Sequence, residues 1–163
     1  MLVLALLVVV FGRSGLEQRG GPLAPDESGE LSGPAEVIDG DSLRMGAGDV
    51  RLVGIDAPEG RQMCERDGAA WDCGEDSRRQ LQRLIAGQKV TCRSIERDKH
   101  GRYLGTCEAG GRALNAAMVE SGYAVSYGGY RSEERAAKLA RRGLWSGTFQ
   151  MPRAWRRERG IGG

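Results

Sequence analysis

The chain has 163 residues, of which 40% are hydrophobic and 28% charged, and its formal net charge is +2. That length favours one domain and suffices to bury a core without metal or disulfide staples. The near-neutral balance excludes a protein that holds nucleic acid or membrane by bulk positive charge alone, so any such contact must be local.

Met1 to Phe11 is an apolar run, too short for a bilayer span, which takes about 20 residues, and of the length of a secretory signal core. No Lys or Arg precedes it and no Ala-x-Ala site follows, so residues 1–12 read as a signal peptide or a short membrane tether. Residues 13–34 carry Gly, Pro, Ser, Glu and Arg without an apolar period and read as a flexible linker. Residues 35–150 read as the folded domain and 151–163 as a basic tail. From Arg131 onward there are nine Lys/Arg against three Asp/Glu, and Arg153, Arg156, Arg157 and Arg159 cluster around Trp155.

Ala35 to Met45 reads as a hairpin, because Asp39-Gly40 between apolar runs is a strong turn signal. Gly46 to Asp49 is a second turn. Val50 to Asp56 alternates as a third strand, which Ala57-Pro58-Glu59 ends because Pro offers no backbone donor. Residues 60–73 read as a polar loop. Leu81, Leu84 and Ile85 lie on one face of a helix over Glu75 to Ile85, with Gly87 as its C-cap. Lys89 to Glu96 and Tyr103 to Glu108 are a fourth and a fifth strand about a turn at residues 97–102. Ala113 to Ser121 and Ser132 to Arg142 are helices, with Tyr123 to Tyr130 extended between them. Five short strands and about three helices predict an α+β domain built on an OB-like barrel.

Four cysteines behind an export-like segment read as disulfides. A four-Cys zinc site is the alternative, though no Cys-x2-Cys pair supports it. A hairpin centred between Lys99 and His100 sets Cys92 opposite Cys107, at disulfide distance. Cys64–Cys73 is then the second pair.

Three polar clusters fall at strand ends: Asp39-Gly40-Asp41-Ser42, Arg51 with Asp56-Ala57-Pro58-Glu59, and Asp98-Lys99-His100-Gly101-Arg102. Each alone is ordinary turn chemistry. Together they supply what phosphodiester cleavage needs. Asp41 and Asp56, with a nearby carbonyl, are oxygen ligands for a hard cation. Glu59 is placed to deprotonate water, and Arg51 and Arg102 to fork onto phosphate oxygens. On a flat strand Arg51 and Asp56 point to opposite faces, so twist and the Pro turn must bring their tips together.

Val37-Ile-Asp-Gly-Asp-Ser42, Arg51-Leu-Val-Gly-Ile-Asp-Ala-Pro-Glu59 and Asp98-Lys-His-Gly-Arg102 resemble the three signature segments of the staphylococcal nuclease family. The resemblance continues through Leu114-Asn115, Gly122-Tyr-Ala124 and Gly143-Leu-Trp145 and covers about residues 35–150. The Cys pairs and the Phe149-x-x-Pro152-x-x-Trp155-Arg156 ending look like an exported bacterial branch. The resemblance implies a five-stranded OB-fold barrel with three helices. It also implies calcium-dependent hydrolysis of DNA and RNA to 3′-phosphate ends, with single-stranded or unpaired regions favoured. By position it makes Asp41, Asp56 and the Ala57 carbonyl calcium ligands, with Asp39 indirect. Glu59 becomes the general base, and Arg51 and Arg102 the phosphate-binding arginines. Lys99 contacts the terminal phosphate, and Tyr127 and Tyr130 face the base. Ser42 replaces a frequent Thr and His100 a frequent Tyr, the latter bearing on substrate affinity. The expected protein is a secreted or periplasmic monomer with no protein partner implied. The alternative is a catalytically silent nucleic-acid-binding module of the same fold.

Overall fold

The computed structural model describes residues 29–161, so the apolar N-terminal run and most of the expected linker lie outside the described residues. No helix among the described residues is long and apolar enough to cross a membrane. In chain order the strands and helices are β1 (Glu30–Gly33), β2 (Glu36–Asp39), β3 (Ser42–Met45), β4 (Gly48–Leu52), β5 (Ile55–Asp56), β6 (Cys64–Arg66), β7 (Ala69–Trp71), α1 (Cys73–Ile85), β8 (Val90–Arg97), β9 (Tyr103–Ala109), β10 (Arg112–Ala113), α2 (Leu114–Glu120), β11 (Val125–Ser126), α3 (Arg131–Leu139) and α4 (Pro152–Glu158), with a 3-10 turn at Gly143–Ser146.

The architecture is α+β. A seven-stranded sheet runs β1-β8-β9-β4-β3-β2, with β10 on β9, and two small sheets pair β11 with β5 and β6 with β7. β2, β3 and β4 form the expected antiparallel meander, and β4 then lies parallel to β9. Leu43, Val50, Leu52 and Ile55 are fully buried beneath α1 and α2, with Leu81, Leu114, Met118 and Val119. Asp72 caps α1 by accepting from the Glu75 amide at 3.0 Å. No pairing joins β1 to β2, so the main sheet is open along its hydrogen-bonded path.

Cys92 does face Cys107 across β8 and β9, and both expected disulfides form, Cys92–Cys107 and Cys64–Cys73. The register slips between Arg93 and Glu96, so the regular hairpin holds only away from the turn.

Five expectations are corrected. The expected linker ends in a strand: Glu30 to Gly33 pairs with β8, Leu31 lying opposite Cys92. The loop over 60–73 contains the β6–β7 hairpin. The helix α1 is capped by Ala86 in the left-handed region, one residue before Gly87. The basic tail contains a fourth helix, α4, started by Pro152 and anchored by the buried Trp155, over whose ring the Arg159 guanidinium sits at 4.2 Å. Finally, the third strand breaks after Leu52. Gly54 takes φ +81°, and β5 leaves the main sheet to pair with β11. The fully buried Asn115 secures that break. Its amide donates to the Val53 and Gly105 carbonyls at 2.9 and 3.1 Å, and its oxygen accepts from the Cys107 amide at 2.9 Å. The backbone released by the break therefore keeps its hydrogen bonds.

Candidate active site

The break at Gly54 resolves the facing problem. Arg51, on β4, and Asp56, on β5, no longer share one flat strand. Arg51 reaches both carboxylates: Nη1 donates to Asp41 Oδ1 at 3.0 Å and Nη2 to Asp56 Oδ1 at 2.8 Å. Asp41 sits in the turn between β2 and β3, with Gly40 pressed against the next layer. A Cβ on Gly40 would lie 2.7 Å from the Cβ atoms of Ala57 and Ser77, so only glycine lets this turn close on the Ala57 segment. Asp41 Oδ2 then accepts the Ala57 amide at 2.9 Å, and Ser42 Oγ donates to Oδ1 at 3.0 Å.

Asp41 and Asp56 are 2% and 6% exposed. Two carboxylates this buried need compensation. Burial works against the charge on Arg51, but Asp41 and Asp56 outweigh it and raise its pKa. One guanidinium shared between two acids leaves a deficit. Burial pushes the Asp41 carboxyl up to about 7, against the pull of Arg51 and with the help of the negative Asp39 and Asp56.

Arg156, from α4, supplies a second guanidinium. Its Nη1 donates to Glu59 Oε1 at 2.7 Å and lies 2.9 Å from Asp56 Oδ1, while Nη2 donates to Asp56 Oδ2 at 3.1 Å. Burial lowers the pKa of Arg156, but its bonds to Asp56 and Glu59 more than reverse this. The Glu59 turn is held by the fully buried Gln62, whose oxygen accepts from the Glu59 amide at 3.3 Å and whose amide donates to the Gln150 carbonyl at 2.6 Å. The Cys64–Cys73 disulfide staples the chain just beyond it.

Above these groups lies an open cleft of about 630 Å³. It is lined by Arg51, Glu59 and Arg156, by Asp98, Lys99, His100 and Arg102 of the β8–β9 hairpin, and by Asp39 and the exposed Tyr127. Arg102 is committed to Asp98, its Nε donating to Oδ2 at 2.8 Å. Although burial acts to raise it, hydrogen bonds from Arg102 and from the Arg102 and His100 amides hold the Asp98 carboxyl below its ordinary value. Tyr130 is a correction. It packs on the core beside Gly54, its hydroxyl bonds to Thr106, and it is not among the residues lining the cleft. Of the two tyrosines, Tyr127 is the one that lines the cleft.

The residues fit a hard cation by donor chemistry. The set is all oxygen, from Asp41, Asp56 and the Ala57 carbonyl, and the buried Asp41 shares its one guanidinium, Arg51, with Asp56. Among the described residues no group of three or more His, Cys, Asp or Glu side chains gathers to hold a metal, so carbonyl and water oxygens would complete the shell.

A pH dependence follows from Asp41. Its folded-state pKa, about 7, lies above the ordinary 3.8, so the folded chain holds a proton there that the unfolded chain releases. The stability this contributes is full below about pH 4 and lost as pH rises through about 7. The metal-free protein is expected to lose stability over that window as pH rises. Denaturant melts across the window should show the slope, and Asp41→Asn should flatten it. An unchanged slope in that variant would clear Asp41 of the effect.

A family model described as Staphylococcal nuclease homologue matches residues 49–147. The chain belongs to the staphylococcal nuclease family. The match takes in Arg51, Asp56, Glu59, Lys99, Arg102 and Tyr127, whereas Asp41 and Arg156 lie outside it. Among similar proteins, the Succinoglycan biosynthesis protein ExoI of Rhizobium meliloti is 37% identical over 123 residues, 71% of this chain and 64% of that protein. An uncharacterized endonuclease of Escherichia coli O157:H7 is 35% identical over 127 residues, covering 71% and 77%. The Probable staphylococcal-like nuclease CAN3 of Oryza sativa subsp. japonica is 35% identical over 116 residues, 67% of this chain and 28% of the plant protein. The chain thus spans less than two thirds of the Rhizobium relative and under a third of the plant nuclease.

Two residues of this family member's site escape sequence reasoning. Gln62 sits in a stretch read only as polar loop. Arg156 is one of four tail arginines, and only its place beside Trp155 hinted at a docked position.

Proposed function

We propose that the protein is a calcium-dependent nuclease that hydrolyses phosphodiester bonds of DNA and RNA and leaves 3′-phosphate ends. The observation that carries this reading is the Arg51 bridge between Asp41 and Asp56, set beside Glu59 at the edge of an open, arginine-lined cleft. The family membership supports it, as do the names of the Escherichia coli and Oryza sativa relatives, an endonuclease and a staphylococcal-like nuclease.

The backbone phosphate is read as entering the cleft between Arg51 and the hairpin carrying Lys99, His100 and Arg102. Arg51 can present its fork to the non-bridging oxygens, and Arg102 can join it on leaving Asp98. Glu59 takes a proton from the attacking water as its oxygen bonds to phosphorus. The bond to the 5′ oxygen breaks, so phosphate stays on the 3′ side. A bound calcium ion would add positive charge against the phosphate oxygens, held by Asp41, Asp56 and the Ala57 carbonyl, with Asp39 indirect. Tyr127, at 60% exposure, offers a face on which an unpaired base can stack, which favours single-stranded substrates.

The fold is read as an OB barrel whose five principal strands are β2, β3, β4, β8 and β9. Two disulfides suit an oxidising compartment and support a secreted or periplasmic reading.

Digestion of single-stranded DNA by residues 29–163, with calcium and then with chelator, tests the proposal. Calcium-dependent cleavage to 3′-phosphate ends is expected. Cleavage indifferent to chelator would remove the calcium role. A folded, disulfide-bonded sample that binds DNA without cutting it would leave the silent binding module.

A further inference from the structure

Asp41 and Asp56 are buried, and neither is among the residues lining the cleft; Arg51 and Arg156 line it and are bonded to them. Arg156 occupies Asp56 more completely than Arg51 does. Its two terminal nitrogens span both Asp56 oxygens, and one of them also holds Glu59. Asp56 Oδ1 therefore carries two guanidinium nitrogens and Oδ2 a third, leaving little carboxylate free for a cation. The arrangement is built rather than incidental: Pro152 and Trp155 bury one face of α4, and Gln62 ties Gln150, just before α4, to the Glu59 turn. The side chain of Arg156 is 20% exposed, so its charge acts in a medium less screening than water.

We propose that Arg156 is a resident counter-ion of the cation site, a positioning residue of the C-terminal helix that holds Asp56 and Glu59 in place and that a divalent cation must displace from Asp56 to bind. This rests on the calcium reading above. Arg156 would then set the cation affinity of the site, and the helix would belong to the active site rather than to a tail. A guanidinium forking across a ligand carboxylate competes as any cation does, and removing one charge at this distance moves an ionic equilibrium by one to three powers of ten.

The test is calorimetric titration of calcium alone into the chelator-treated chain, without nucleic acid, for the wild type, Arg156→Gln and Arg156→Lys. Melting curves confirm that each variant folds. Arg156→Gln is expected to bind calcium about tenfold more tightly, and Arg156→Lys to fall between it and the wild type, since it keeps the charge without the fork. A folded Arg156→Gln that binds calcium no more tightly than the wild type overturns the proposal and leaves the calcium-dependent nuclease reading intact. A lysine variant that binds like the glutamine variant overturns the counter-ion role as well. No calcium binding by any of the three overturns the calcium reading and this inference with it.

Discussion

Arg51→Ala is expected to lose stability and activity together. Among the described residues Arg51 is the sole guanidinium bonded to Asp41 and one of two on Asp56, and both acids are almost wholly buried. Removing it strands a buried carboxylate, which costs on the order of 3–5 kcal/mol. It also removes a guanidinium that lines the cleft, and loss of one transition-state donor lowers turnover by about 10²–10³. Denaturant melts of the metal-free protein and single-turnover cleavage measure the two losses separately. Calcium, by compensating the freed carboxylates, should restore part of the stability and little of the activity. Arg51→Lys keeps a charge without the fork and should fall between. An alanine variant as stable as the wild type would mean that Asp41 does not depend on Arg51.

Glu59→Gln should behave in the opposite way, keeping stability and binding while losing turnover. Glu59 is about a quarter exposed, and an amide oxygen can still accept the Arg156 bond, so the fold has little reason to change. What disappears is the ability to take a proton. A positioned general base contributes about 10²–10⁴ in rate, and a loss of that size is expected at constant affinity for calcium and for single-stranded DNA. Weakened DNA binding of similar size in the variant would show that Glu59 holds substrate or metal and does not act as the base.

The placement of individual residues shows how far the sequence carries. Asp41 and Glu59 were legible because each sits at a turn whose residues announce it, Asp-Gly in one case and Ala-Pro-Glu in the other. Cys92–Cys107 was legible because both cysteines lie on adjacent strands of one local hairpin, although the register of Arg97 with Tyr103 beside the turn would by itself set Cys92 opposite Glu108, and the shift between Arg93 and Glu96 brings it to Cys107. Val50 to Asp56 misled because its alternation is genuine through Val50, Arg51 and Leu52, and nothing local says that Asn115 will bond to the backbone released after them. β1 escaped because a four-residue edge strand takes its identity from its partner, here β8.

By itself the sequence determined the meander of β2 to β4 and both cysteine pairs, and it marked Asp41, Arg51, Asp56 and Glu59 as candidates, since turn residues announce the strand ends on which they sit. Only the tertiary structure decided that one guanidinium would bridge Asp41 and Asp56, that Tyr130 would brace the core, and that Arg156 would reach Asp56 across 100 positions of chain. The physical reason is range. α4 is seven residues long, too short for an apolar period to be read, and its place follows from where Pro152 and Trp155 find a surface to bury.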